Sequence, residues 1–137
     1  MKNIFNIFIY IIVFGLISVN SKVSVSAELP NCTSQNDLSV YHNCKGSFTN
    51  SSGVKYEGEW KNSLPNGFGI KTLRDGSKYI GTFKNALYHG RGTYTGANGY
   101  NYTGEFKENF IHGQGTETST KGQNKGGKYI GEFKKNL

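Results

Sequence analysis

Residues 56–61 read Tyr-Glu-Gly-Glu-Trp-Lys, and the same pattern of tyrosine, glycine and a second aromatic recurs three times later in the chain. The four segments begin at residues 56, 79, 102 and 129, so their starts are 23, 23 and 27 residues apart. The recurring residues are Tyr56, Gly58, Trp60, Tyr79, Gly81, Phe83, Tyr102, Gly104, Phe106, Tyr129, Gly131 and Phe133. This period indicates a repeat protein, in which each unit buries its apolar face by stacking on its neighbours.

A Gly-x-Gly follows each of the first three segments at the same offset, with an apolar residue before it. The glycine pairs are Gly67/Gly69, Gly90/Gly92 and Gly113/Gly115, and the apolar residues, expected to lie in loops, are Leu64, Leu87 and Phe110. Counting 23 residues back from the first Gly-x-Gly places a half unit at 46–55. The four extra residues of the last interval fall in the Gly- and Lys-rich stretch 121–127, which indicates a loop insertion.

Alternation within each segment predicts a β-strand. Tyr56, Gly58 and Trp60 share one face of such a strand, and the charged residues between them share the other. Asp75-Gly76 and Asn98-Gly99 are typical of hairpin turns, because these residues tolerate a positive φ. The sequence therefore predicts an all-β antiparallel meander with strands near 46–49, 55–61, 69–73, 78–84, 92–95, 100–107, 115–119 and 128–134. The predicted core consists of the recurring aromatics, with the three apolar loop residues at one margin.

The pattern Tyr-x-Gly-x-aromatic followed by Gly-x-Gly resembles the MORN repeat, and the likeness covers residues 44–137. The resemblance implies β-hairpin units stacked into an elongated, twisted sheet. The preceding stretch, residues 29–46, looks like the lead-in of secreted bacterial proteins of this family. Membrane association is often proposed for MORN proteins, so the resemblance also implies a lipid surface as one kind of partner.

Residues 1–27 have the composition of a helical signal peptide. Lys2 provides a positive start, an apolar run of 13 residues covers 7–19, and Val25-Ser26-Ala27 offers small residues for cleavage. The run is shorter than the roughly 18 residues that a membrane-spanning helix needs. The chain is therefore expected in the periplasm, the cell envelope or the extracellular space, and an uncleaved N-terminal membrane anchor is the alternative.

Cys32 and Cys44 are the two cysteines, and an even number in an exported chain predicts a disulfide between them. Two free thiols, or a metal site, are the alternatives, and zinc is disfavoured because no Cys or His neighbour stands at a typical ligand spacing. The bridge would close an N-terminal cap at 28–45 in front of the repeat array 46–137. At the other end, strand 128–134 is expected to lack a hairpin mate. Such an open edge predicts either pairing with another chain or a sequence that is a fragment of a longer repeat array.

Lys61, Lys84, Lys107 and Lys134 recur at one position of the repeat. They predict either a cationic row that contacts anionic lipid headgroups or a solvated surface, neutralised by Glu59, Glu105 and Glu132 on the same face. The aromatic residues are interpreted as core, and as a ligand-stacking platform only where they are exposed. His89 and His112 lie one repeat apart without a visible third metal ligand, so we predict no metal site.

No catalytic constellation and no cofactor motif occur in the sequence, and the Gly-x-Gly pairs lack the helix and lysine of a phosphate-binding loop. Residues 28–137 keep 14 of the 16 Lys and Arg residues and all nine acids, so the net charge falls from +7 to +5. Because acids and bases are interspersed, nucleic-acid binding is not expected. We therefore predict a non-enzymatic protein-interaction or scaffolding module, with self-association through strand 128–134 or an unidentified protein partner. A peripheral module that binds anionic phospholipid is the alternative.

Overall fold

The computed structural model describes residues 28–33 and 37–136 and contains one open antiparallel sheet of eight strands in chain order. A short 3-10 helix, Leu38–Val40, precedes the sheet. The strands are β1 Cys44–Thr49, β2 Lys55–Lys61, β3 Leu64–Thr72, β4 Lys78–Lys84, β5 Leu87–Thr95, β6 Tyr100–Lys107, β7 Phe110–Ser119 and β8 Lys128–Asn136. The predicted all-β meander of stacked hairpins is confirmed, whereas the predicted signal peptide lies outside the described residues.

Strands β3, β5 and β7 are longer than predicted, because the presumed loops around Leu64, Leu87 and Phe110 are part of these strands. Two-residue turns join them to β2, β4 and β6. In the first turn, Asn62 has φ 51° and Ser63 has φ 63°, as a type I′ turn requires. The other turns are Asn85-Ala86 and Glu108-Asn109, which have the same left-handed backbone. These turns contain no glycine, so the usual sequence signal for a type I′ hairpin is missing.

The first glycine of each Gly-x-Gly forms a bulge in its strand. Gly58 pairs with Gly69 while Trp60 pairs with Pro65, so β3 uses two more residues than β2 over the same interval. Gly67 lies at this irregularity with φ 103°, a conformation that side chains rarely adopt. The equivalent Gly90 and Gly113 also have positive φ. The bulge takes up the two extra residues, so β3 pairs regularly with β2 on both sides of it.

The second glycine of each Gly-x-Gly belongs to a row of paired glycines that crosses the whole sheet, one on each strand. The row consists of Gly46, Gly58, Gly69, Gly81, Gly92, Gly104, Gly115 and Gly131. Tyrosine rings lie over it: a Cβ added at Gly92 would be 2.5 Å from Tyr79 Oη. Tyr79 Oη also donates a hydrogen bond to the carbonyl oxygen of Thr82 at 3.0 Å. The repeated glycines therefore provide the space that the repeated tyrosines occupy.

The core is a ladder of aromatic rings on one face of the sheet, which we call the ladder face. Within a repeat, Tyr79 and Phe83 contact edge to face with centroids 5.1 Å apart. Between repeats, Tyr79 contacts Phe106 in the same way at 4.9 Å. The same two contacts recur along the array, each favourable beyond the apolar area that it buries.

Tyr129 departs from the predicted core: it is 52% exposed, whereas Tyr79 and Tyr102 are fully buried. Each earlier ladder tyrosine is covered by the phenylalanine of the following repeat, and no described residue covers Tyr129 in this way. Its single ring contact is with Phe133 of its own strand. Burial of the recurring tyrosine therefore depends on the next repeat and not on its own segment.

The N-terminal segment covers the first strand. Cys32 and Cys44 form a disulfide, and Cys32 N–H donates to the Lys45 carbonyl oxygen at 2.8 Å. Lys45 N–H donates in turn to the Pro30 carbonyl oxygen at 2.8 Å, so residues 30–32 lie along the outer side of β1. Tyr41 is buried against Trp60, with ring centroids 4.8 Å apart, and so adds one ring to the ladder.

Candidate functional site

The lysine row lies on the face opposite the ladder, where three of its four lysines pair with an apolar residue across a two-residue turn. Lys61 pairs with Leu64, and Lys84 pairs with Leu87. Lys107 and Phe110 form the third pair, while Lys134 lies exposed on the same face of β8. Leu64 and Leu87 are 42% and 37% exposed. One end of this face therefore presents cationic and apolar side chains side by side.

Glu105, one of the glutamates near this row, interacts with the neighbouring strand β7. Glu105 Oε1 accepts a hydrogen bond from Gln114 N–H at 3.4 Å, and its carboxylate lies against Gly113 at the bulge. Among residues 28–33 and 37–136, the two ion pairs are Lys45–Glu28 and Lys55–Glu57. The four lysines of the row belong to neither pair.

The outer edge of β8 is the second candidate surface. In the part of the chain that the structure describes, β8 pairs with β7 only, and it ends the sheet. Tyr129 and Ile130 are the most accessible apolar side chains there, and Ile130 is 66% exposed. The edge thus combines unpaired backbone with exposed apolar side chains, which together favour pairing with another strand.

A third candidate is a surface cavity of about 580 Å³ between β5, β6 and β7. Its lining residues are Tyr88, Tyr94, Tyr100, Phe106, Asn109, Ile111 and Glu117. Burial, reinforced by Tyr94, raises the pKa of Tyr88 to about 12. Burial, reinforced by Glu117, raises the pKa of Tyr100 to about 12 as well. The phenols of Tyr88 and Tyr100 are therefore harder to ionise than exposed tyrosines, and Glu117 contributes the one carboxyl group of the lining.

The sequence analysis did not identify this cavity, because it treated the aromatic residues through the repeated pattern alone. The available signal was the departure from that pattern: Tyr88, Tyr94 and Tyr100 stand at positions where the neighbouring repeats carry other residue types. Pairing of β5 with β6, and of β6 with β7, then brings these positions together. Such cross-strand neighbours become visible only when the register of the sheet is known.

Within the described ranges, no group of three or more His, Cys, Asp or Glu side chains is arranged to hold a metal ion. His89 and His112 lie in β5 and β7, beside the bulge glycines. No helix of the described chain is long and apolar enough to cross a membrane. The candidate surfaces are therefore the lysine row, the β8 edge and the aromatic cavity.

Comparison with known proteins agrees with this architecture. The family model described as the MORN repeat matches residues 56–78, 79–99 and 102–123. Each match begins at a ladder tyrosine, within the first strand of a β-hairpin. A comparison with curated proteins found no match. The three matched repeats show that the chain belongs to the MORN-repeat proteins.

Proposed function

We propose that this chain is an exported, non-catalytic protein-interaction module that self-associates by pairing its β8 edge with that of a second copy. MORN repeats are binding modules for proteins and membrane lipids, which supports a binding role. The observation that carries the proposal is the difference between the two edges. Residues 30–32 pair with β1, but among the described residues no strand pairs with the outer side of β8. Unpaired backbone donors and acceptors are a template for another strand.

A second copy is the occupant that the geometry favours. Two β8 strands pairing antiparallel about Gly131 would form a two-fold interface, in which one surface pairs with itself. This register would continue the glycine row and place Tyr129 opposite Phe133 of the second copy. Tyr129 would then gain a phenylalanine contact from the adjacent strand, whereas Tyr79 receives its contact with Phe106 across the intervening strand β5. The exposed ladder tyrosine would be covered in both copies.

Charge makes this interface sensitive to salt. In the proposed register, Lys128 lies opposite Lys134 of the second copy, and the two ammonium groups repel each other. Because ions screen exposed charges over about 8 Å at physiological ionic strength, added salt is expected to strengthen association. Binding of the lysine row to an anionic surface would respond to salt in the opposite sense. Salt dependence therefore distinguishes self-association from lipid binding.

Sedimentation equilibrium of the purified protein tests the proposal. We expect a concentration-dependent dimer that Ile130→Glu weakens at least about tenfold, because the new carboxylate would face Glu132 of the second copy. Ile80→Glu is the matched control, since Ile80 has a similar exposed position on the interior strand β4. A protein that stays monomeric at all concentrations, or a dimer that the Ile130 substitution leaves unchanged, would contradict the proposal.

The lysine row supports a second candidate function, peripheral binding to anionic phospholipid. Its specific support is the pairing of Lys61 with Leu64, Lys84 with Leu87 and Lys107 with Phe110 at one end of the sheet. Lysines near an anionic membrane contribute on the order of 1 kcal/mol each, and neighbouring apolar side chains enter the interface. The two candidate functions use different surfaces and can be tested separately.

Vesicle co-sedimentation tests the lipid function. We expect binding to phosphatidylserine vesicles that salt weakens and that joint replacement of the row lysines, Lys61, Lys84 and Lys107, by Glu reduces on the order of 100-fold. The control replaces Lys55, Lys78 and Lys128 by Glu, which gives the same change in net charge at the opposite end of the same face. Equal losses in both triple variants would indicate a general charge effect and contradict a specific row.

Export is proposed from the composition of residues 1–27, and the disulfide at Cys32–Cys44 is compatible with an oxidising compartment. N-terminal sequencing of the protein recovered from a secreting host should begin at Glu28. Recovery of an intact Met1 terminus in the membrane fraction would support the uncleaved anchor instead.

A further inference from the structure

Three tyrosines of the described chain lie in the repeat array but outside its Tyr-x-Gly-x-aromatic pattern. Tyr88 stands where the neighbouring repeats have Pro65 and Ile111. Tyr94 stands where they have Lys71 and Glu117, and the equivalent of Tyr100 in the preceding repeat is Ser77. The glycine row and the ladder are complete without these three rings. These three rings pack against the ladder at one junction of the array, where they add aromatic surface that the repeated pattern does not require.

The three rings converge on the cavity between β5, β6 and β7. Tyr88 stacks on the ladder residue Tyr79 at 3.8 Å and lies 6.0 Å from Phe106 at an interplanar angle of 83°. Tyr94 and Tyr100 are tilted by 52° with centroids 6.3 Å apart, a looser arrangement than the ladder contacts. Four rings at differing angles thus surround about 580 Å³, a volume within the range of small-molecule sites.

The cavity is suited to a cation. Aromatic rings attract cations through their electron-rich faces, and the Glu117 carboxylate adds a full negative charge to the same lining. In the part of the chain that the structure describes, this carboxylate forms no ion pair and no hydrogen bond. Tyr88 already attracts one cation, because Lys71 Nζ lies 5.5 Å from the centroid of its ring. Lys71 is not among the lining residues, so the interior of the cavity has no cation of its own.

We propose that this cavity binds a quaternary ammonium group. A primary ammonium carries three N–H donors and is strongly hydrated, so placing it against aromatic rings costs more than placing a quaternary ammonium there. Asn109 Oδ1 already accepts a hydrogen bond from Tyr88 N–H at 2.9 Å, which leaves the Glu117 carboxylate and the tyrosine phenol oxygens as acceptors of the lining. A quaternary ammonium has no N–H donor and interacts with ring surfaces and a carboxylate by charge alone. The site lies on the face opposite the lysine row, and its Glu117 pairs with Tyr129 of β8.

Calorimetric titration of the purified protein with choline chloride tests this proposal. We expect saturable binding in the millimolar range, and binding of 3,3-dimethylbutanol, which has the same shape without the charge, at least about tenfold weaker. Equal affinity for the neutral compound, or no saturable binding of choline, would overturn the proposal. Phosphatidylcholine vesicles identify the source: binding to them points to a lipid headgroup, and binding of free choline alone points to a soluble ligand.

Variants that copy residues from a neighbouring repeat test where choline binds. Joint replacement Tyr94→Lys and Tyr100→Ser introduces the residues of the preceding repeat, a combination that the fold already accommodates at Lys71 and Ser77. We expect this variant and Glu117→Gln each to lower choline affinity at least about tenfold. Glu132→Gln, on the opposite face of β8, is the matched control and should leave the affinity unchanged. Choline binding that all three variants retain would place the ligand elsewhere and overturn the assignment.

Discussion

The two edges of the sheet carry the same repeat chemistry but differ in what covers their aromatic rings. At the β1 edge, the disulfide-linked N-terminal segment places Tyr41 against Trp60, and Trp60 is buried. At the β8 edge, Tyr129 occupies the same repeat position as the buried Tyr79 but is half exposed. The difference shows that a MORN unit does not complete its own core: each ring needs a neighbour, supplied by a repeat, a cap or another chain.

Removing equivalent rings at an interior and an edge position should produce the largest contrast. We expect Tyr79→Ala to cost about 3–5 kcal/mol of unfolding free energy, as is usual when a buried aromatic is truncated. Tyr129→Ala should cost roughly 1 kcal/mol, because the exposed ring loses little buried area. Urea denaturation measures both, at a protein concentration low enough to keep the chain monomeric. Similar costs would mean that Tyr129 is covered in solution.

Opening the disulfide should convert the covered edge into one resembling the open edge. Reduction is expected to lower the unfolding free energy by about 2–3 kcal/mol in the chain-entropy model for a short loop. It should also increase self-association, because residues 30–32 would leave the outer side of β1. Denaturation and sedimentation, each with and without reductant, check the two effects. Stability lost without any change in association would show that the cap protects the core but not the edge.

The glycine row allows the same comparison with smaller substitutions. A Cβ at Gly81 would lie 2.6 Å from Gly92 Cα and 2.7 Å from Tyr79 Oη, which is held in the core. At Gly131 the nearest atom is Tyr129 Oη at 2.5 Å, on a ring that is free to move outward. We expect Gly81→Ala to cost about 1–3 kcal/mol and Gly131→Ala less than about 1 kcal/mol. Equal costs in urea denaturation would contradict this account.

Buried and exposed tyrosines should also differ in alkaline titration, where we expect the smallest effect. Burial raises the pKa of Tyr88 and Tyr100 to about 12, above the value near 10 in the unfolded chain. A raised folded pKa gives stability that is complete below pH 10 and is lost as the pH rises towards 12. The urea midpoint should therefore fall between pH 10 and 12, with phenolate absorbance appearing late for these tyrosines. Ionisation of all tyrosines near pH 10 without unfolding would contradict it.

Much of the fold was predictable from local features. The tyrosine, glycine and second aromatic recur at a fixed spacing. This period predicted that the units stack on one another, and it predicted the strands that contain the recurring residues. The type I′ turns were missed, because Asn85-Ala86 and Glu108-Asn109 lack the glycine that usually marks them. The β-strands that follow these turns were consequently predicted too short. The disulfide agrees with the pairing expected for two cysteines in an exported chain.

The candidate sites depend more on three-dimensional context. The lysine row was visible as a recurring position, but its pairing with Leu64 and Leu87 follows from turns that were not predicted. The aromatic cavity was not anticipated, since Tyr88 and Tyr94 of β5 meet Tyr100 of β6 and Glu117 of β7 only in the folded sheet. A repeated pattern draws attention to the residues that agree with it, whereas most residues that line this cavity, Phe106 excepted, lie outside it.

The sequence by itself determined the repeat, the strand content and the face on which the recurring rings lie, because side-chain alternation along a strand is a local property. Only the tertiary structure decided which rings are buried and which residues share a cavity. Both depend on what the neighbouring strand places beside each side chain. The same repeat position is therefore buried at Tyr79 and exposed at Tyr129, because the burial of a ring depends on the residues that neighbouring strands place against it.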